Sequence, residues 1–202
     1  MNQNIEVEDN ATGRLEMVLD AANKIMEAAK SILNDGNVPL PPACFVVKIV
    51  GNIADVVCLP EMSMENEEEK NKLASIVRKV SRMLDADAVI MATDAFVWTM
   101  NKELIEQEYG DIQYFVDNFW TQNTDHAWRS KFANSTDSII ITTDSHWGKA
   151  MFKQQYSVNT EKEVIMEGDI EKIICDDRND TKNQLAGRFM DLLGSKKEKP
   201  NG

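Results

Sequence analysis

An aspartate and a histidine one residue apart, Asp144 and His146, stand at the end of the apolar run IIITTDSH. At a strand terminus two such side chains can turn towards one divalent ion. A further carboxylate, Asp94, lies inside a second apolar run, VIMATDAFVW. A carboxylate there is costly if buried, so it needs a partner or a cleft. Asp94 is therefore a candidate to orient a histidine, to complete a metal shell, or to act as base towards a bound water. His126 is the other histidine of the chain. Together the four would make a catalytic group for metal-assisted hydrolysis. The ion would be Mg²⁺ or Mn²⁺, which need mainly oxygen ligands. The plainer alternative is turn chemistry. Asp144 and Ser145 would cap a turn whose backbone Gly148 permits, and Asp94 would meet water on an edge strand.

The spacing Asp144-x-His146 resembles the first metal-binding element of the metallophosphoesterases, where an Asp-x-His follows an early strand. That resemblance implies a metal centre completed by later Gly-Asp, Gly-Asn-His and His-rich elements. Here only Gly168-Asp169 is found downstream, and no histidine lies beyond His146. That centre cannot be assembled from this chain, so the leading expectation is no cofactor. The chain also lacks a GxSxG elbow, an HExxH helix, a CxxC pair and a phosphate-cradling glycine loop. The segment Ala86 to Trp98, ADAVIMATDAFVW, resembles one found in small proteins of bacteria and their phages. The likeness brings no activity with it.

The elements that must position these residues are legible from periodicity. Residues 1–10 read as a flexible leader. From about Ala11 to Asn34, apolar residues recur in steps of three and four, as on one face of a long helix. Gly36 terminates it, and Pro39, Pro41 and Pro42 stiffen the linker to the first strand. Strands are expected at 45–50 and 53–59, joined by Gly51-Asn52 as a type II′ turn. Both are so apolar that an interior place in the sheet, or an additional covering layer, is expected. A second helix is expected from about Met64 to Leu84, with Ser63 as N-cap and glutamates at its positive end. It leads to a strand at 88–99 through a crossover, a parallel one being considered. Strands at 138–144 and 149–156 form a second hairpin. One or two short strands come next, around Gly168-Asp169, then a helix from about Thr181 to Leu193 and a loose tail at 195–202.

These elements make a single α+β domain over 11–194. Its sheet is mixed or antiparallel, of about five strands, with long helices packed on one face. The chain has 202 residues, enough for one well-buried core. Its three cysteines form no pair pattern and read as buried, reduced side chains, which points to a cytoplasmic setting. No apolar run is long enough for a membrane helix. A formal net charge of -12 repels phosphate backbones, so direct nucleic-acid binding is not expected.

The segment 101–134 reads as an insert of short helices and loops, rich in aromatic and acidic residues. Interface cores are enriched in aromatics, and an acidic rim can select a basic partner. The leading expectation for function is thus a protein-binding or assembly protein, of the accessory kind phages carry. It would act through Tyr114, Phe115, Phe119 and Trp120 on another protein or on a second copy in a homodimer. The alternative is the divalent-metal hydrolase.

Overall fold

The structure is a computed structural model. It describes residues 3–36, 38–60, 64, 66–120, 130–175 and 193, with 3–10, 96, 98 and 99 described by their backbone alone. The chain begins with helix α1 (Gln3–Asn34), which takes in residues 3–10, expected as a leader. Acidic residues are favourable at a helix N-terminus, and Glu6 stands in its first turn. Strands β1 (Ala43–Val50) and β2 (Ile53–Cys58) pair antiparallel, from Phe45 opposite Cys58 to Val50 opposite Ile53. Gly51 has φ +61°, the positive value that the first central residue of a type II′ turn requires.

Helix α2 (Glu67–Met83) starts later than its periodicity implies. Asn66 is its N-cap and accepts from the Glu69 N–H at 2.9 Å. The expected cap, Ser63, lies outside the described residues. Strand β3 (Ala88–Met100) then pairs antiparallel with β1, and β4 (Ala133–Ser145) with β3. Strands β5 (Lys149–Val158) and β6 (Val164–Cys175) complete the sheet, with β6 a single strand where two short ones were considered. The order is β2-β1-β3-β4-β5-β6, antiparallel throughout. Strands β2 and β3 do run in the same direction, but β1 lies between them, so no parallel pair forms. The expected helix at 181–193 and the tail fall outside the described residues, apart from Leu193.

Alternation along the strands divides the core in two. Val47, Ile49, Ile90, Ile139, Ile141 and Phe152 face α1, where Val18, Ala22, Met26 and Leu33 meet them. Cys44, Val46, Val89 and Met91 face the other way, towards Leu73, Ala74 and Val77 of α2. The two long helices therefore cover opposite faces, not one shared face. This explains why β1 and β3 read as unbroken apolar runs, since both sides of each strand are buried. Strand β2 has the same composition for a different reason. It is an edge strand, and Ile53, Val56 and Val57 are exposed.

The expected insert closes the far end of the long β3–β4 hairpin. Helix α3 (Lys102–Tyr109) is capped by Asn101 at its start and by left-handed Gly110 (φ 76°) at its end. Helix α4 (Ile112–Phe115) runs into a π-helical turn at Val116–Trp120. Ile105, Phe115 and Phe132 are buried together and form a small third core.

Candidate functional site

The pairing register separates the residues that might have shared a metal. Asp94 lies opposite Ile139, and Asp144 lies opposite Val89. Positions 89 and 94 of one strand are ~17 Å apart at the usual rise. The faces also differ. Asp94 projects to the α1 side with Tyr156, and Asp144 to the α2 side with Leu193. No single ion can contact both Asp94 and Asp144 over that span, so Asp94, Asp144 and His146 do not form one shared metal site. His126 lies outside the described residues. Among the described residues, no three His, Cys, Asp or Glu side chains are grouped to hold a metal ion.

Each of these residues has structural contacts. The buried Asp144 carboxylate accepts the Leu193 N–H at 2.9 Å, tying that residue to the sheet. His146 donates its backbone N–H to the Asp87 carbonyl at 3.2 Å. Its ring Nε2 lies 3.1 Å from the Ala86 carbonyl oxygen. A carbonyl can only accept, so Nε2 is the donor in this contact, and Nδ1 is the ring nitrogen left with a lone pair in the neutral form. The turn itself belongs to Ser145, whose hydroxyl accepts from the Gly148 N–H at 3.0 Å. The turn reading therefore holds for Ser145, while Asp144 holds Leu193.

Asp94 has the partners its setting demands. Its carboxylate accepts from the Tyr156 hydroxyl at 2.7 Å and from the Leu40 N–H at 3.0 Å. These bonds bind β3 to β5 and to the linker that leaves α1. Asp137, directly opposite Tyr156 on β4, shares the same face. Together with Val38, Pro39 and Ala95 they line a shallow cleft of about 280 Å³. Burial, then the Asp94 carboxylate beside it, pushes the Tyr156 hydroxyl above the ordinary tyrosine range. Burial and the Asp94 charge also raise the Asp137 carboxyl.

The Tyr156 shift has a testable sign. The native state holds the tyrosine proton to higher pH than the unfolded chain does. Its stabilising contribution is full below the ordinary tyrosine value and is lost as pH rises past it. Tyr156→Phe should lower the melting temperature at pH 7 by removing a bond to a carboxylate, worth about 1.5–3 kcal/mol. It should also flatten the fall in melting temperature above pH ~10. A variant with the wild-type alkaline slope would show that Tyr156 does not titrate in this way.

A second buried carboxylate, Asp87, escaped the sequence reading. It is 1% exposed and stands where α2 gives way to β3. It accepts the Ile49 N–H at 2.9 Å and lies 3.4 Å from the Lys48 ammonium. The segment SRMLDADAV carries two aspartates at a helix exit. Nothing local distinguishes the solvated Asp85 from the buried Asp87.

Tyr109, Phe115, Phe119, Trp120 and Phe132 pack largely on one another. Phe115 stacks on Phe119 with ring centroids 5.0 Å apart and meets Phe132 edge-on at 5.1 Å. Phe115 is fully buried, so it is no surface contact residue in the monomer. Phe119 and Trp120 are half-buried against the same cluster, and Tyr114 alone of the four is mostly exposed.

A larger concave surface than the cleft at Asp94 lies elsewhere. A groove of about 610 Å³ runs between α1 and the β1–β2 hairpin. Its wall is formed by Met17, Ala21, Ile25, Ala28 and Ile32 of α1, and its floor by Ala43, Phe45, Ala54 and Val56. The lining is mainly apolar. Its charged side chains among the described residues, Asp20 and Lys24, form an ion pair at 2.7 Å. The groove opens onto the outer edge of β2, with which no strand among the described residues pairs. The α1 periodicity foretold an apolar face, but not that its margin would overhang an open strand. Cys58, expected to be buried, lies exposed on β2. Cys44 is enclosed, and burial pushes its thiol up to about 12.

Among the described residues no helix is long and apolar enough to cross a membrane. Comparison of the chain with protein-family models, with curated proteins and with solved structures found no match.

Proposed function

We propose that the chain is a protein-binding or assembly module whose docking surface is the groove between α1 and the β1–β2 hairpin. The single observation that carries this reading is the groove itself. It holds about 610 Å³, within the usual range of ligand sites, and its lining is mainly apolar, with Asn52 and the Asp20–Lys24 ion pair as its polar side chains among the described residues. Ile32, Ile53 and Val56, all part of its lining, are exposed. Contiguous apolar surface of this kind marks contact sites. The adjoining strand edge adds a second means of recognition. An extended segment laid along β2 gains main-chain hydrogen bonds, and its alternate side chains point into the groove.

Selection from a random-peptide library tests the reading, with the protein held at ~nanomolar concentration so that any weaker self-association is undone. Selected peptides should be extended and apolar at alternate positions. Val56→Lys should weaken them by at least about tenfold, or ~1.4 kcal/mol. Val56 is exposed on the groove floor, so the variant should keep the wild-type circular dichroism spectrum. Failure to select any peptide, or selection only of peptides that bind both proteins equally, would remove the groove from consideration.

A further inference from the structure

We propose that the partner of β2 is a second copy of this chain, and that the two β2 strands pair antiparallel about a two-fold axis through Val56. The inference rests on the reading of the groove and its strand edge as a docking surface, and it names the occupant.

The two edges of the sheet differ in kind. β6 carries Glu167, Asp169, Glu171 and Lys172, and Gly168 interrupts it with φ +66°. Charges and irregularities of this sort protect an edge from pairing. The sequence of β2 is IADVVC, with one charge and no irregularity in its pairing to β1. It has the composition of an interior strand in an edge position.

Charge then selects the occupant. The chain has a formal net charge of -12, so two copies repel except where the contact is nearly neutral. From Val50 to Pro60 the only charged side chain is Asp55. β2 is therefore the edge at which like copies can meet. The β6 edge, with its three acids against one lysine, would set acid against acid.

The register is set by side-chain direction. Ala54, Val56 and Cys58 share the α1 face with Val47 and Ile49, whereas Asp55 and Val57 point to the other. Antiparallel pairing about an axis perpendicular to the sheet keeps each face continuous. Residues with the same facing then stand opposite one another. An axis through Asp55 would set Asp55 against its own copy, which like charges oppose. An axis through Val57 would bring Pro60, which has no N–H, opposite Ala54 of the other copy. An axis through Val56 avoids both. It sets Val56 against itself, Asp55 against Val57, and Ala54 against Cys58. The result is a continuous sheet across the two copies. On one side of it the two α1 rims, with Ile25, Ala28 and Ile32, face each other across a joined trough.

Light scattering tests the association, and cysteine placement tests the register. At ~100 μM, well above a micromolar dissociation constant, the wild type should have twice the chain mass of 22.8 kDa. Val56→Lys should halve that mass and leave the circular dichroism spectrum unchanged. In a Cys58→Ala background, Val56→Cys should oxidise to a covalent dimer. Opposed residues have Cβ atoms about 4.5–5.5 Å apart, close to the separation a disulfide needs. Ile53→Cys should not, because the two copies of position 53 would be ~20 Å apart. A monomeric wild type would overturn the dimer, as would a dimer insensitive to Val56→Lys, or equal oxidation at positions 53 and 56. A monomer that still binds library peptides in a Val56-dependent way would overturn the dimer alone and leave the groove as a docking site for another protein.

Discussion

Replacing Ile141 by Asp should leave no folded domain at room temperature. Ile141 is 0% exposed, sits on the central strand β4, and lies between Ala92 of β3 and Phe152 of β5 on the face that α1 covers. Loss of the buried side chain alone costs about 2–5 kcal/mol. An unpaired carboxylate in the same place adds several more, against a total stability of about 5–15 kcal/mol. The sheet offers an internal control. Ile140 points to the opposite face and is only half-buried, so Ile140→Asp should lower the melting temperature and keep a cooperative transition. Melting followed by circular dichroism distinguishes the two. Equal damage at both positions, or an intact Ile141→Asp protein, would mean that the alternation along β4 has been assigned to the wrong faces.

Phe115→Ala should have the next largest effect, confined to one part of the molecule. Phe115 is the buried centre of the insert and meets Tyr109, Phe119, Trp120 and Phe132. Truncating a buried phenylalanine costs about 3–5 kcal/mol. The small core of Ile105, Phe115 and Phe132 has few other side chains with which to absorb that loss. Hydrogen exchange should become fast across α3 and α4 while β1, β3 and β4 retain protection. Tyr114→Ala, on the exposed side of the same helix, should change neither. Global unfolding of Phe115→Ala, with β1 exposed together with α3, would show that the insert and the sheet form one cooperative unit.

The sequence makes the local elements legible and leaves their arrangement hidden. Both hairpins announce themselves. Gly51-Asn52 and the turn after Ser145 interrupt apolar runs, and pairing across a short turn is a local event. The pairing of β1 with β3 is different. It joins Val47 to Ala88 across an entire helix, and no residue pattern encodes it. From that one pairing come the interior place of β1, the edge position of β2, and helices on opposite faces. The same limit applies to the sites. Asp94 is recognisable as a carboxylate in need of a partner. That partner, Tyr156, lies 62 residues away and is an ordinary strand tyrosine until the sheet is assembled. Asp144 and His146 look like ligands because two residues of a strand end can share an ion. Their contacts with Leu193 and Ala86 arise from parts of the chain that carry no mark of the encounter. The apolar character of β2 implies burial. Within the monomer that burial is absent, and the mismatch is the strongest sequence-level support for an occupant at the edge.

The closed base of the insert bears on how quickly the chain folds. The Asn101 N–H donates to the Phe132 carbonyl at 2.8 Å, so the insert begins and ends at one point. Without it, the first rung between Met100 and Ala133 would have to close the whole intervening segment as a loop. Closure entropy rises with the logarithm of loop length, by about 0.6 kcal/mol for each doubling. An insert that condenses early around Phe115 converts that long loop into a short effective one and brings β3 and β4 together as neighbours in time as well as in space. Phe115→Ala should then slow refolding in stopped-flow experiments more than it speeds unfolding, the mark of a residue already in place at the transition state.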